Sequence, residues 1–78
     1  MHELGICKEI LDFVISQARG KRVLRIKVEI PQEEHLTTQL FKEIFKIVSY
    51  RTKVEEADIE VTVSPIDEVR VGEIELED

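Results

Sequence analysis

The chain has no tryptophan and no asparagine, only one tyrosine, two prolines and three glycines, and a single cysteine among 78 residues. Each scarcity excludes something. One cysteine, Cys7, cannot form an intramolecular disulfide, nor a cysteine-based zinc cluster within one chain. No apolar run approaches the roughly 20 residues that span a bilayer, so no membrane association is expected. Glu3, Lys8, Glu9 and Asp12 interrupt the start too often for the apolar centre of a signal peptide. A cytoplasmic location is the expectation. Positive charge is also short, with 11 Lys and Arg against 17 Asp and Glu and a net charge of −6. The basic stripe of a nucleic-acid binder is missing, and no nucleic-acid partner is expected. No nucleophile–base pair, carboxylate dyad or glycine-rich phosphate loop is present, which argues against an enzyme.

What is present describes one small folded unit. Hydrophobic residues make up 42% and charged residues 36%, the balance of a globular protein rather than a disordered one. Residues 1–78 fit a single domain. A chain this short buries only roughly 60% of its unfolded surface, so a homodimer is one way to enlarge the core. From Ile66 onward there are six acids and one arginine, a tail that solubilises or attracts a basic partner.

Periodicity divides the chain into five elements. Over residues 3–19, Leu4, Cys7, Leu11, Val14 and Ala18 recur at helical spacing, widened by Ile6, Ile10 and Phe13, with Gly20 placed to end the helix. Residues 22–30 alternate strictly: Leu24, Ile26, Val28 and Ile30 face one way, Arg25, Lys27 and Glu29 the other. Pro31 closes this strand. Helical spacing returns over 36–50 through Leu36, Leu40, Ile44, Ile47 and Val48, with Phe41 and Phe45 beside them and Thr37 or Thr38 as cap. The three phenylalanines, Phe13, Phe41 and Phe45, are read as core. A charged turn at 51–56 leads into a strand carrying Ile59, Val61 and Val63. In the last segment Val69 and Val71 share one parity, Ile74 and Leu76 the other. A β-bulge at Gly72-Glu73 would keep all four on the core side.

The order α-β-α-β-β predicts an α+β fold with two helices on one face of a three-stranded mixed sheet. The two strands joined by the second helix should be parallel through a right-handed crossover. The last strand should be antiparallel to its neighbour, and the first, with the cleanest alternation, should be central.

Chemistry concentrates at the start, Met1-His2-Glu3. The Met1 amine, the His2 amide nitrogen and His2 Nδ1 can close two fused chelate rings and place three nitrogens in one plane. Ni(II) and Cu(II) prefer such tetragonal nitrogen coordination. The Glu3 amide, a water or a partner atom can supply the fourth position. Deprotonating an amide there is cheap, because the first N–H groups of a helix have no intrahelical acceptor. The ordinary alternative is a solvated chain start that binds nothing. Glu3 is equally suited to the first helical turn without any metal. His35, beside Glu33 and Glu34, is either a solvated loop histidine or an additional ligand. Cys7 lies inside the apolar stripe and reads as a small core residue.

Met1-His2-Glu3-Leu4, the strand VLRIKVEI, the helix LTTQLFKEIFKIV and the closing VRVGEIELE together resemble the HypA/HybF family of hydrogenase-maturation nickel metallochaperones, along nearly the whole chain. The resemblance implies Ni(II) as the bound metal, His2 as the principal ligand, backbone nitrogens of His2 and Glu3 in the site, and the Met1 amine as a further ligand. It also implies a partner GTPase and delivery to a precursor of nickel–iron hydrogenase or urease. Three departures stand out. The family's zinc domain, with two Cys-x-x-Cys pairs, lies between the last two strands, where this chain has only residues 64–68, so no zinc is expected. The acidic residue that some members carry near the second helix corresponds to Thr37. Pro31-Gln32-Glu33-Glu34 replaces a glycine-containing loop. These departures motivate an alternative: a metal-free adaptor or dimerisation module that kept the fold.

Overall fold

The computed structural model describes residues 3–32 and 36–78, and all five expected elements are present. They are α1 (Glu3–Ala18), β1 (Val23–Pro31), α2 (Thr38–Val48), β2 (Asp58–Ser64) and β3 (Arg70–Leu76). The sheet order is β2-β1-β3, with β1 central, parallel to β2 and antiparallel to β3. Both helices pack on one face of the sheet.

Local chemistry sets the boundaries. Arg19 (φ 52) and Gly20 (φ 87) both enter the left-handed region and stop α1. The Lys21 amide donates to the Ala18 carbonyl at 3.1 Å and satisfies one of the last carbonyls of the helix. At α2, Thr37 is the cap: it has extended φ/ψ, and its Oγ1 accepts from the Leu40 amide at 3.0 Å. This geometry removes one orphan donor from the first turn. Thr37→Ala is therefore expected to cost about 1 kcal/mol in urea unfolding, while Thr37→Ser should restore most of it.

The bulge expected at Gly72 is observed. Lys27 pairs with Glu73 and the next residue, Val28, pairs with Val71, so Gly72 is the extra residue. A second irregularity, not anticipated, lies at the other end of the ladder: Val23 pairs with Leu76 and Arg25 with Glu75, which leaves Leu24 unpaired. This corrects the strict alternation expected of β1. Val23 is fully buried and Leu24 is 40% exposed, because the extra residue flips the parity of everything before it. Pro31 ends the strand as expected, as its last residue, opposite Ser64.

The core is formed by Cys7, Leu11, Val14 and Ala18 of α1, Val23, Ile26, Val28 and Ile30 of β1, and Phe41 and Phe45 of α2, closed by Leu36, Val54, Ala57 and Ile59. The Phe41 and Phe45 rings stack with centroids 5.9 Å apart. Besides Leu24, four side chains expected on the buried stripes are not there: Leu4, Phe13, Ile47 and Val63 are exposed. Three narrow strands cover only part of each helix, so the flanks of a wide apolar stripe remain in water.

Candidate functional site

The chemistry expected of the chain start rests on three residues, and only Glu3 falls within the described part. Met1, His2 and His35 lie outside the described residues. Glu3 opens α1, so its amide sits ahead of the i→i−4 ladder and can be recruited without breaking a helical hydrogen bond. Its carboxylate lies close enough to Cys7, one turn on, for its charge to affect that thiol. The Cys7 pKa is raised to about 11, first by burial and then by the negative charge of Glu3. Cys7 has no exposed surface, and its Sγ–H points at the Phe41 carbonyl at 3.9 Å. Its place in the core, read from the sequence, is confirmed, and a protonated buried thiol is no metal ligand.

The two helices run parallel, and the same pole of the molecule collects the start of α1, the end of β1, the entry to α2 and the β2–β3 connection. Ile6, Pro31, Leu36 and Val69 line one cleft there. Thr37, the position matching the family's acidic residue, is at this pole too, but its hydroxyl is committed to the Leu40 amide. Among the described residues no group of three or more His, Cys, Asp or Glu side chains is arranged to hold a metal ion.

The open face of the sheet is polar and internally paired. Arg25 Nε meets Glu60 Oε2 at 3.1 Å, Lys27 Nζ meets Glu73 Oε1 at 3.5 Å, and Ser64 Oγ donates to Glu29 Oε2 at 2.9 Å. Such exposed pairs contribute little stability. Sequence reasoning placed Arg25, Lys27, Glu29 and Glu60 on the open face; Glu73 and Ser64 join them through the strand register. It missed Asp67 and Glu68, which the β2–β3 turn brings beside Glu9 of α1. Nothing in the pattern signals contact across so long a separation.

Against known proteins, the sequence model of one family, described as "Hydrogenase/urease nickel incorporation, metallochaperone, hypA", matches residues 1–70. The chain belongs to the HypA family. The hydrogenase maturation factor HypA of Crocosphaera subtropica is 34% identical over 61 residues, covering 78% of this chain and 54% of that protein. The factor of the same name from Rippkaea orientalis is 36% identical over the same length and shares. The chain thus spans about half the length of these relatives. The solution structure of the Ni metallochaperone HypA from Helicobacter pylori superposes with a TM-score of 0.80 over 97% of each chain at 14% identity, a likeness of fold. HypA-family membership bears out the resemblance drawn from Met1-His2-Glu3 and the closing strand, and it does not favour the metal-free adaptor. Both relatives are named as hydrogenase maturation factors. No helix among the described residues is long and apolar enough to cross a membrane.

Proposed function

We propose that this HypA-family chain carries Ni(II) as cargo at its first residues and passes it on during maturation of a nickel enzyme. His2 is the principal ligand through its amide and Nδ1. The Glu3 amide and the Met1 amine complete a planar nitrogen set, and the Glu3 carboxylate helps to orient it. The observation that carries this reading is the start of α1 at Glu3, directly after Met-His, in a chain whose family match begins at residue 1. The helix dipole opposes a cation at this end, but deprotonated amides bring compensating negative charge. Binding therefore releases protons and weakens in acid.

The partners that follow from this reading are a nickel-delivering GTPase and a hydrogenase or urease precursor, in the cytoplasm. The reading calls on no zinc; the short stretch 65–69 between β2 and β3 and the buried position of Cys7 support leaving it out. The polar open face of the sheet leaves room for a homodimer, which the nickel site does not require.

The test is a Ni(II) titration of three proteins: one with Met1 as its free terminus, His2→Ala, and one extended by residues ahead of Met1. Only the first should give a yellow, proton-releasing, square-planar complex, because the second lacks the imidazole and the third turns the amine into an amide. Equal weak binding by all three, or octahedral oxygen-rich coordination, would overturn the proposal.

A further inference from the structure

Arg25, Lys27 and Glu29 on the open sheet face each have a side-chain partner, but Glu9, Asp67 and Glu68 have none among the described residues. Between the first turns of α1, the end of β1, the entry to α2 and the β2–β3 connection lies a cleft of about 210 Å³. Its floor is apolar, formed by Ile6, Ile10, Leu36 and Val69, and its rim carries Glu9, Asp67 and Glu68. All three carboxylates are exposed, no lysine or arginine lines the cleft, and no hydrogen bond or ion pair joins these acids to another described residue. Three like charges converge on an apolar depression without a counter-charge among the described residues.

The volume decides what kind of occupant fits. Small-molecule sites run to roughly 300–1,000 Å³, so this cleft is too small for a cofactor and suits a single side chain. An apolar anchor seated in a pocket and ringed by polar contacts is how protein interfaces concentrate their binding energy. The charge of the rim then selects the flanks of that anchor, since opposite potentials steer encounter and fix register. We propose that this cleft docks a segment of a partner protein presenting one large apolar side chain flanked by lysines or arginines. Ile6 lies one helical turn from Glu3, so a partner seated here lies alongside the chain start. The docking reading stands apart from nickel binding and is tested without metal.

The probe is the blocked hexapeptide Lys-Arg-Leu-Leu-Arg-Lys, titrated into the ¹⁵N-labelled full chain. Amide shifts should concentrate at Ile6, Ile10, Leu36 and Val69. The affinity should fall roughly tenfold as salt rises from about 0.05 to about 0.5 M, because exposed charges are screened. Reversing all three rim charges together (E9K, D67K, E68K) should abolish the shifts. These positions are exposed, so the fold should survive, and retained spectral dispersion checks it. A peptide with serine for both leucines should not bind, which keeps the test decisive even if charge reversal perturbs the fold. The proposal is overturned by shifts confined to the open sheet face, by equal binding of the serine peptide or the reversed variant, or by no shifts at millimolar peptide. Cleft shifts that depend on protein concentration alone would assign the cleft to a second copy of the chain, and would overturn it too.

Discussion

Phe41→Ala is expected to destabilise the domain by about 3–5 kcal/mol, the range for truncating a buried phenylalanine that leaves a cavity behind. Phe41 is fully buried, stacks on Phe45, and lies where α2 meets α1: its own carbonyl accepts from Cys7. The surroundings cannot collapse easily, because the sheet below is held by β1 pairing on both edges. Globular domains gain only roughly 0.05–0.15 kcal/mol per residue from folding, so one such loss removes a large share of the stability of a 78-residue chain. In urea, where small domains have slopes of about 1 kcal/mol per molar, the midpoint should drop by several molar, or the variant should be partly unfolded without denaturant. Ile47→Ala is the control. The sequence puts Ile47 on the apolar stripe of α2, with Phe41 beside it, yet Ile47 is 72% exposed, and its loss should stay within about 0.5 kcal/mol. Equal effects at the two positions would contradict the packing described here.

The contrast between Phe41 and Ile47 shows which part of the fold was legible beforehand. Period and punctuation located every element, because alternation in β1 and helical spacing in α1 and α2 are properties of consecutive residues. The parity change between Val71 and Ile74 even located the bulge at Gly72, since only an extra residue reconciles the two phases. Burial was less legible. It depends on how much of each helix the neighbouring layer covers, and a three-stranded sheet leaves Leu4, Phe13 and Ile47 in solvent. The bulge at Leu24 was hidden for a related reason. Val23 and Leu24 are both apolar, so a shift of parity leaves no mark in the pattern. At the candidate site, the metal binding proposed for Met1 and His2 is argued from covalent geometry, which the sequence alone supplies. The acidic rim of Glu9, Asp67 and Glu68 is created by tertiary contact and was not available from the sequence.

Cys7 supplies the second large effect, a loss of stability in alkali. Burial first, and the charge of Glu3 second, raise its pKa from 9.0 to about 11. A raised folded-state value means that the native state holds the thiol proton more tightly than the unfolded chain. The associated stability is complete below pH 9. It is lost progressively as the pH climbs toward 11, because the unfolded thiol ionises first. The loss across that window is on the order of 2–3 kcal/mol. The measurement is a difference: urea unfolding of wild type and Cys7→Ala at pH 8 and at pH 10.5. Wild type should lose more stability than the variant between the two, whatever the alanine costs at pH 8. Glu3→Gln should reduce the difference without abolishing it, since burial is the larger cause. The same burial predicts that iodoacetamide at pH 8 alkylates Cys7 no faster than the chain opens, because the thiol has no exposed surface and reacts only as thiolate. Native-state alkylation at the rate of a free cysteine would place Cys7 outside the core and undo the account of how α1 meets α2.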